Sequence, residues 1–180
     1  MTDEAPETMP NNPCTFCRTN NLTLMQHQRE VPFFGKVLLF SMTCSNCKYH
    51  KADVELLEKN EPAKWTIVVE NEEDLKTRVI KSSQATVKIP HIMTIEPGEA
   101  ANGYVSNVEG ILRRVKHQLE TARDGEDDNT KKKKLKNMLK KLQKVMWGQE
   151  KLTITIEDPT GNSAIVSEKA EMKKIKGKKK

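Results

Sequence analysis

Cys14-Thr15-Phe16-Cys17 and Cys44-Ser45-Asn46-Cys47 contain every cysteine of the chain, and reading these two quartets decides how its first third folds. A two-residue gap lets a tight turn aim both sulfurs at one ion about 2.3 Å away, and two such turns brought together make a tetrahedral site for Zn²⁺. Four thiolates fill the coordination sphere and leave no position for water or substrate. An iron–sulfur cluster uses the same ligand set, but paired turns joined by strand-like sequence are the ribbon pattern, which favours zinc. A thioredoxin-like redox pair needs a helix starting at its first cysteine. Here Arg18-Thr19-Asn20-Asn21 is a polar turn, followed by alternating Leu22 and Leu24. A disulfide pair fits poorly with an N-terminus that has no secretory leader pattern.

Between the quartets, Leu22–Glu30 and Lys36–Thr43 read as strands, and Tyr49–Glu55 can return as a third. Val31-Pro32-Phe33-Phe34-Gly35 lies between the first two. Pro32 lacks a backbone donor and Gly35 permits a turn, so the phenylalanines sit either at a loop tip or under the ribbon. Residues 1–12 read as a flexible lead and 13–55 as the zinc-ribbon module. His50 reads as a surface strand residue, and His27, His91 and His117 lie beside no recognisable nucleophile motif.

Residues 62–167 read as a second, β-rich domain. Trp65–Val69, Arg78–Lys81, Ala85–Ile89 and Ile92–Ile95 are short apolar strands, resumed at Leu152–Glu157 and Ala164–Ser167, a spacing that suggests a sandwich or barrel. Residues 106–147 interrupt them as a helical hairpin. Ser106-Asn107-Val108-Glu109 has the form of a capping box, and Val108, Ile111, Leu112, Val115 and Leu119 follow at helical spacing. A second stripe runs from Leu135 to Met146 and ends before Gly148. Lys131–Lys134 opens that helix where the macrodipole disfavours cations, and reads as a solvated face. Asp158-Pro159-Thr160-Gly161-Asn162-Ser163 has the chemistry of a tight turn.

The net charge of +6 is unevenly placed. Glu168–Lys180 holds seven lysines and two glutamates, which leaves residues 1–167 near neutrality and makes 168–180 a basic tail. Such a tail can hold RNA or acidic protein surfaces weakly and salt-dependently. The densest apolar run, Val37–Phe40, is far too short to span a bilayer, and the expected location is the reducing cytoplasm.

Taken in order, these pieces resemble the ZPR-type zinc-finger protein family, most closely its single-module archaeal members, over roughly residues 13–167. The residues carrying the resemblance are the two cysteine pairs, Val31-Pro32-Phe33-Phe34, Asp74-Leu75 with Val79-Ile80-Lys81-Ser82, Ile89-Pro90, Val108-Glu109-Gly110 and Asp158–Ser163. The resemblance implies a mainly β protein: a four-cysteine zinc ribbon holding one structural Zn²⁺, then a domain like a double-stranded β-helix with an inserted helical hairpin. It also implies a non-catalytic binding partner or folding chaperone for translation elongation factor 1-alpha, with Phe33, Phe34, Asp158, Gly161 and Asn162 as candidate contacts. The family usually has glycine after each cysteine pair, where this chain has Arg18 and Lys48, and tends to have glutamate where His91 stands. The competing expectation, from the ribbon spacing and the basic tail, is a nucleic-acid-binding ribbon of transcription or translation.

Overall fold

A computed structural model describes residues 5–31, 35–57 and 61–175. The expected contacts Phe33 and Phe34 lie outside the described residues. The N-terminal sheet is antiparallel in the order of the chain: β1 (Glu7–Asn12), β2 (Leu22–Val31), β3 (Gly35–Cys44) and β4 (His50–Leu56). The β2–β3 ladder runs unbroken from Leu22 opposite Cys44 to Val31 opposite Gly35. That ladder brings residues just after the first cysteine pair beside the start of the second.

Residues 7–12 are therefore not a flexible lead but an edge strand, with Glu7 opposite Gln26 and an irregularity between Met9 and Asn12. Its side chains are almost all exposed. Pairing is by backbone alone, so no apolar alternation advertised it.

The second domain starts with β5 (Ala63–Val69), a short helix α1 (Glu72–Leu75), then β6 (Arg78–Lys81), β7 (Thr86–Ile89), β8 (Met93–Ile95) and β9 (Tyr104–Asn107). Helices α2 (Val108–Asp124) and α3 (Asn129–Met146) form the hairpin. The chain closes with β10 (Leu152–Asp158), β11 (Ala164–Val166) and β12 (Glu171–Lys174). A five-stranded sheet has the order β12-β5-β10-β7-β8, and a three-stranded sheet the order β11-β6-β9. Every pairing is antiparallel.

Both sheets and both long helices bury side chains in one core. Ile67, Val69, Val87, Ile154 and Ile156 enter from the larger sheet, Val79 and Ile165 from the smaller, Ile111, Leu112, Val115 and Leu119 from α2, and Leu142 and Val145 from α3.

Two sequence expectations shift. The cap of α2 is Asn107, whose Oδ1 accepts from the Gly110 amide at 2.8 Å, and not Ser106. Strand pairing runs through Asn107, opposite Arg78, so the helix begins one residue later. Glu109 consequently pairs forward with Arg113 at 2.7 Å instead of reaching back. The basic tail also contributes structure: β12 pairs with β5, Met172 opposite Trp65 and Lys174 opposite Ala63. Its exposed lysines mark it as a protected sheet edge.

The two domains share a wall. Along β6, Val79 points into the main core, while Ile80 packs with Val37 and Val54 of the ribbon. Strand alternation sends neighbours to opposite faces, which leaves Val79, Ile80 and Lys81 all buried. Polar bonds complete the junction. Ser83 N donates to Asp53 Oδ1 at 2.7 Å, Ala52 N to Asn102 Oδ1 at 2.9 Å, and Gly103 N to Ala52 O at 2.9 Å. At Gly103 the chains approach so closely that a Cβ would lie 2.2 Å from Asp53 Oδ1.

Candidate metal centre

The two cysteine turns are built alike. Cys14 N donates to Thr19 O at 2.9 Å and Arg18 N to Cys14 O at 2.9 Å; Cys44 N donates to Tyr49 O at 2.8 Å and Lys48 N to Cys44 O at 3.1 Å. In each turn the residue after the second cysteine takes a left-handed conformation, Arg18 at φ 58° and Lys48 at φ 61°. That geometry favours glycine and costs an ordinary L-residue about 1 kcal/mol. It gives a physical reason for the glycine expected after each pair. Ser45 N donates to Asn21 O at 3.0 Å and ties one turn to the foot of the other.

The four Sγ atoms lie within 4.8 Å of one another. Cys14 to Cys47 is 3.7 Å and Cys17 to Cys44 is 3.6 Å. Ligands 2.3 Å from a tetrahedral centre stand about 3.8 Å apart, so the donor set fits Zn²⁺ in number, chemistry and spacing. Cys14, Cys17, Cys44 and Cys47 are positioned to coordinate one metal ion, consistent with one structural zinc.

Four thiols this close resist ionising together. Hydrogen bonding from the Thr19 hydroxyl and amide, joined by the Asn46 side chain, holds the Cys17 thiol down at about 5. The Tyr49 amide also pulls Cys47 down. Burial and the sulfurs of Cys17, Cys44 and Cys14 outweigh it and push Cys47 up to about 12. A cation at the centre removes that conflict, and its binding releases protons. Leu22, Leu24, Met42 and Tyr49 pack around the sulfurs. Phe16, at the tip of the first turn, is 72% exposed with its ring 4.5 Å from that of Tyr49. Sequence reading passed over Phe16, although an aromatic between two ligands cannot turn inward once both sulfurs do.

Beside the ribbon lies a cleft of about 520 Å³, bounded by Phe40, Met42 and Tyr49 on one side and by Ser82–Gln84, Thr160 and Asn162 on the other. The turn 158–163 shapes its wall. Asp158 is fully buried. Its carboxylate accepts from Ser82 Oγ at 2.8 Å, Ser163 Oγ at 2.5 Å, Thr160 N at 2.8 Å and Thr160 Oγ1 at 2.7 Å. Asp158 therefore shapes the turn from within and presents no surface of its own. Gly161 is also buried and adopts φ +75°, the reason glycine stands there. Asn162 Oδ1 accepts from Leu56 N at 3.3 Å, joining the turn to the ribbon. Of the expected contact residues in this turn, only Asn162 lines the cleft, together with the exposed Thr160. Lys81 lies beneath, 5% exposed, donating to Ser82 O at 2.9 Å. Burial holds its pKa below the usual lysine value, against the opposing pull of Asp158 and Asp53.

Comparison with known proteins agrees with both halves. Residues 7–61 match the ZPR1 zinc-finger domain, and residues 73–180 match the ZPR1 jelly-roll domain. A ZPR1-like protein of Pyrococcus horikoshii is 38% identical over 90% of this chain and 75% of its own length. One from Methanocaldococcus jannaschii is 38% identical over 88% of this chain and 81% of its own. The zinc finger chaperone zpr1 of Schizosaccharomyces pombe is 32% identical over 84% of this chain, which spans 33% of that longer protein. With its four-thiolate ribbon seated on a two-sheet jelly roll, the chain belongs to the ZPR1 zinc-finger family.

Proposed function

We propose that the chain is a non-catalytic protein-binding factor, a partner or folding chaperone of translation elongation factor 1-alpha, acting in the cytoplasm. The observation that carries this reading is the closed metal site at the head of a cleft. The zinc has no vacant coordination position for chemistry, yet it holds an exposed aromatic, Phe16, beside a concave wall made by both domains. Exposed aromatics at a polar-rimmed cleft suit protein recognition. The printed name of the fission-yeast relative, a zinc finger chaperone, points the same way. Among the described residues no helix is long and apolar enough to cross a membrane. In this reading Phe16, Thr160 and Asn162 form the near edge of the partner site, and Phe33 and Phe34 are further candidate contacts. The lysines after Glu168 add a weak, salt-dependent contact with RNA.

Affinity purification from native lysate tests the reading. The tagged chain should enrich elongation factor 1-alpha, and both the Phe16→Ala and the Phe33→Ala/Phe34→Ala proteins should lose it. The zinc-loaded chain should also raise the yield of elongation factor refolded from denaturant. Failure of the intact chain to enrich the factor at any nucleotide state sinks the proposal.

A further inference from the structure

Helix α3, Asn-Thr-Lys-Lys-Lys-Lys-Leu-Lys-Asn-Met-Leu-Lys-Lys-Leu-Gln-Lys-Val-Met, has eight lysines in 18 residues and no acidic residue. Its apolar stripe, Leu135, Met138, Leu139, Leu142, Val145 and Met146, packs on the main core. With about 100° of turn per residue, Lys133, Lys136, Lys140 and Lys144 fall in one line on the opposite side, flanked by Lys134 and Lys141. The line is about 17 Å long. The side chains of Lys133, Lys134, Lys136, Lys140 and Lys141 make no hydrogen bond or ion pair to another described residue. Lys144 pairs with Glu150 at 3.0 Å across exposed surface.

Ordinary solvated helices alternate charge sign and gain from i,i+4 pairs; like charges at that spacing destabilise. Here Lys136 faces Lys140 and Lys140 faces Lys144, with no acid among them. An outside polyanion would relieve the repulsion that the Lys144–Glu150 pair leaves along this line. A second observation tells which kind. Trp147, the residue capping α3, is 58% exposed. Its position continues the same 100° progression, so it stands at the end of the lysine line, on the same side of the helix.

We infer that the outer face of α3, Lys133–Lys144 with Trp147 at its end, binds single-stranded nucleic acid. The lysines run along consecutive phosphates and the indole offers a stacking surface for one base. This division of labour is how single strands are held without sequence preference. A protein partner fits this face less well, because lysine is depleted from the cores of protein interfaces.

The test uses the full zinc-loaded chain and fluorescently labelled 20-nucleotide oligo(U) and oligo(dT), which tell ribose from deoxyribose as the preferred backbone. Binding should weaken with salt at a slope of log K on log[salt] near −4, for six neutralised phosphates. Lys133→Gln/Lys136→Gln/Lys140→Gln should reduce the slope to about −2 and lower affinity at least tenfold at low salt. Trp147→Ala should cost about tenfold with the slope unchanged, and Trp147→Phe should restore most of it. Quenching of tryptophan emission by the oligonucleotide should vanish in Trp147→Phe, since Trp65 is half-buried in β5. Far-ultraviolet circular dichroism confirms that the variants fold.

Three results overturn the assignment. One is no oligonucleotide binding at low salt. Another is unchanged binding in the triple variant with loss in Lys178→Gln/Lys179→Gln/Lys180→Gln. The third is displacement by poly-glutamate as readily as by unlabelled oligonucleotide, which assigns the face to an acidic protein.

Discussion

The ribbon and the jelly roll are stabilised by different means. Among the described residues around the ribbon's sulfurs only Cys14, Leu22 and Cys44 are buried, and Val37 and Val54 meet Ile80 of the other domain. The jelly roll closes a continuous core of aliphatic side chains from two sheets and two long helices. A sheet with so little to bury depends on its ion, whereas the larger unit depends on packing density. Perturbations should therefore separate by kind: metal chemistry strikes one region, cavities the other.

The largest effect is expected from the metal. Chelation, or Cys44→Ser at a fully buried ligand, should remove on the order of 10 kcal/mol of apparent folding free energy from the ribbon. Hydrogen exchange should then speed up across β2–β4 while α2 keeps its protection. Equal protection in both regions with and without zinc refutes the contrast.

Next comes the opposite experiment. Leu112→Ala or Ile154→Ala, both with no exposed surface, should cost about 2–5 kcal/mol. The urea midpoint of the jelly roll should fall while zinc stays bound at one per chain. Zinc loss in step with unfolding would show that the two regions melt as one.

Asp158→Asn sits where the regions meet and should cost about 1–3 kcal/mol, because several donors lose a charged acceptor in a buried site. Thermal melting reports the cost. Amide exchange at Thr160 and Leu56 should rise together.

A smaller, pH-dependent effect belongs to the jelly roll alone. Asp74 is buried, and burial raises its pKa. The Lys169 ammonium at 2.7 Å and the amides of Glu70 and Asn71 more than reverse that, holding the carboxyl below the usual range. A depressed folded pKa gives stability that is fully present above the unfolded value, near 3.9, and lost as pH falls through the folded one. Acid titration of Asp74→Asn should lose that step, leaving ribbon zinc release, read by a chromogenic chelator, as the dominant acid event.

The smallest change sharpens the ribbon. Arg18→Gly and Lys48→Gly relieve left-handed strain and should each stabilise the zinc-loaded ribbon by up to about 1 kcal/mol, seen as slower metal exchange.

Legibility in the sequence followed the same divide. The four ligands were readable because a two-residue gap is a local, chemical constraint. The hairpin was readable because Ile111, Leu112, Val115 and Leu119 repeat at a helix's period. The strands β1 and β12 were not, since Glu7–Asn12 and Glu171–Lys174 lie on edges with nearly every side chain in water, and no burial pattern distinguishes them from coil. Asp158 read as part of a tight turn and as a candidate contact. Its four donors come partly from Ser82, seventy-six positions away, and no local signal carries that information. Asn107 displaced Ser106 as the cap because the strand continues through Asn107, opposite Arg78, before the helix starts.

The strand Arg78–Lys81 has a final implication. With one aliphatic neighbour committed to each side, it belongs to neither half alone. A cut in the connection before Ala63 would leave oil facing water on both fragments. Any duplication or transplant of this unit must then copy finger and barrel in a single piece, since parting them uncovers aliphatic surface on each.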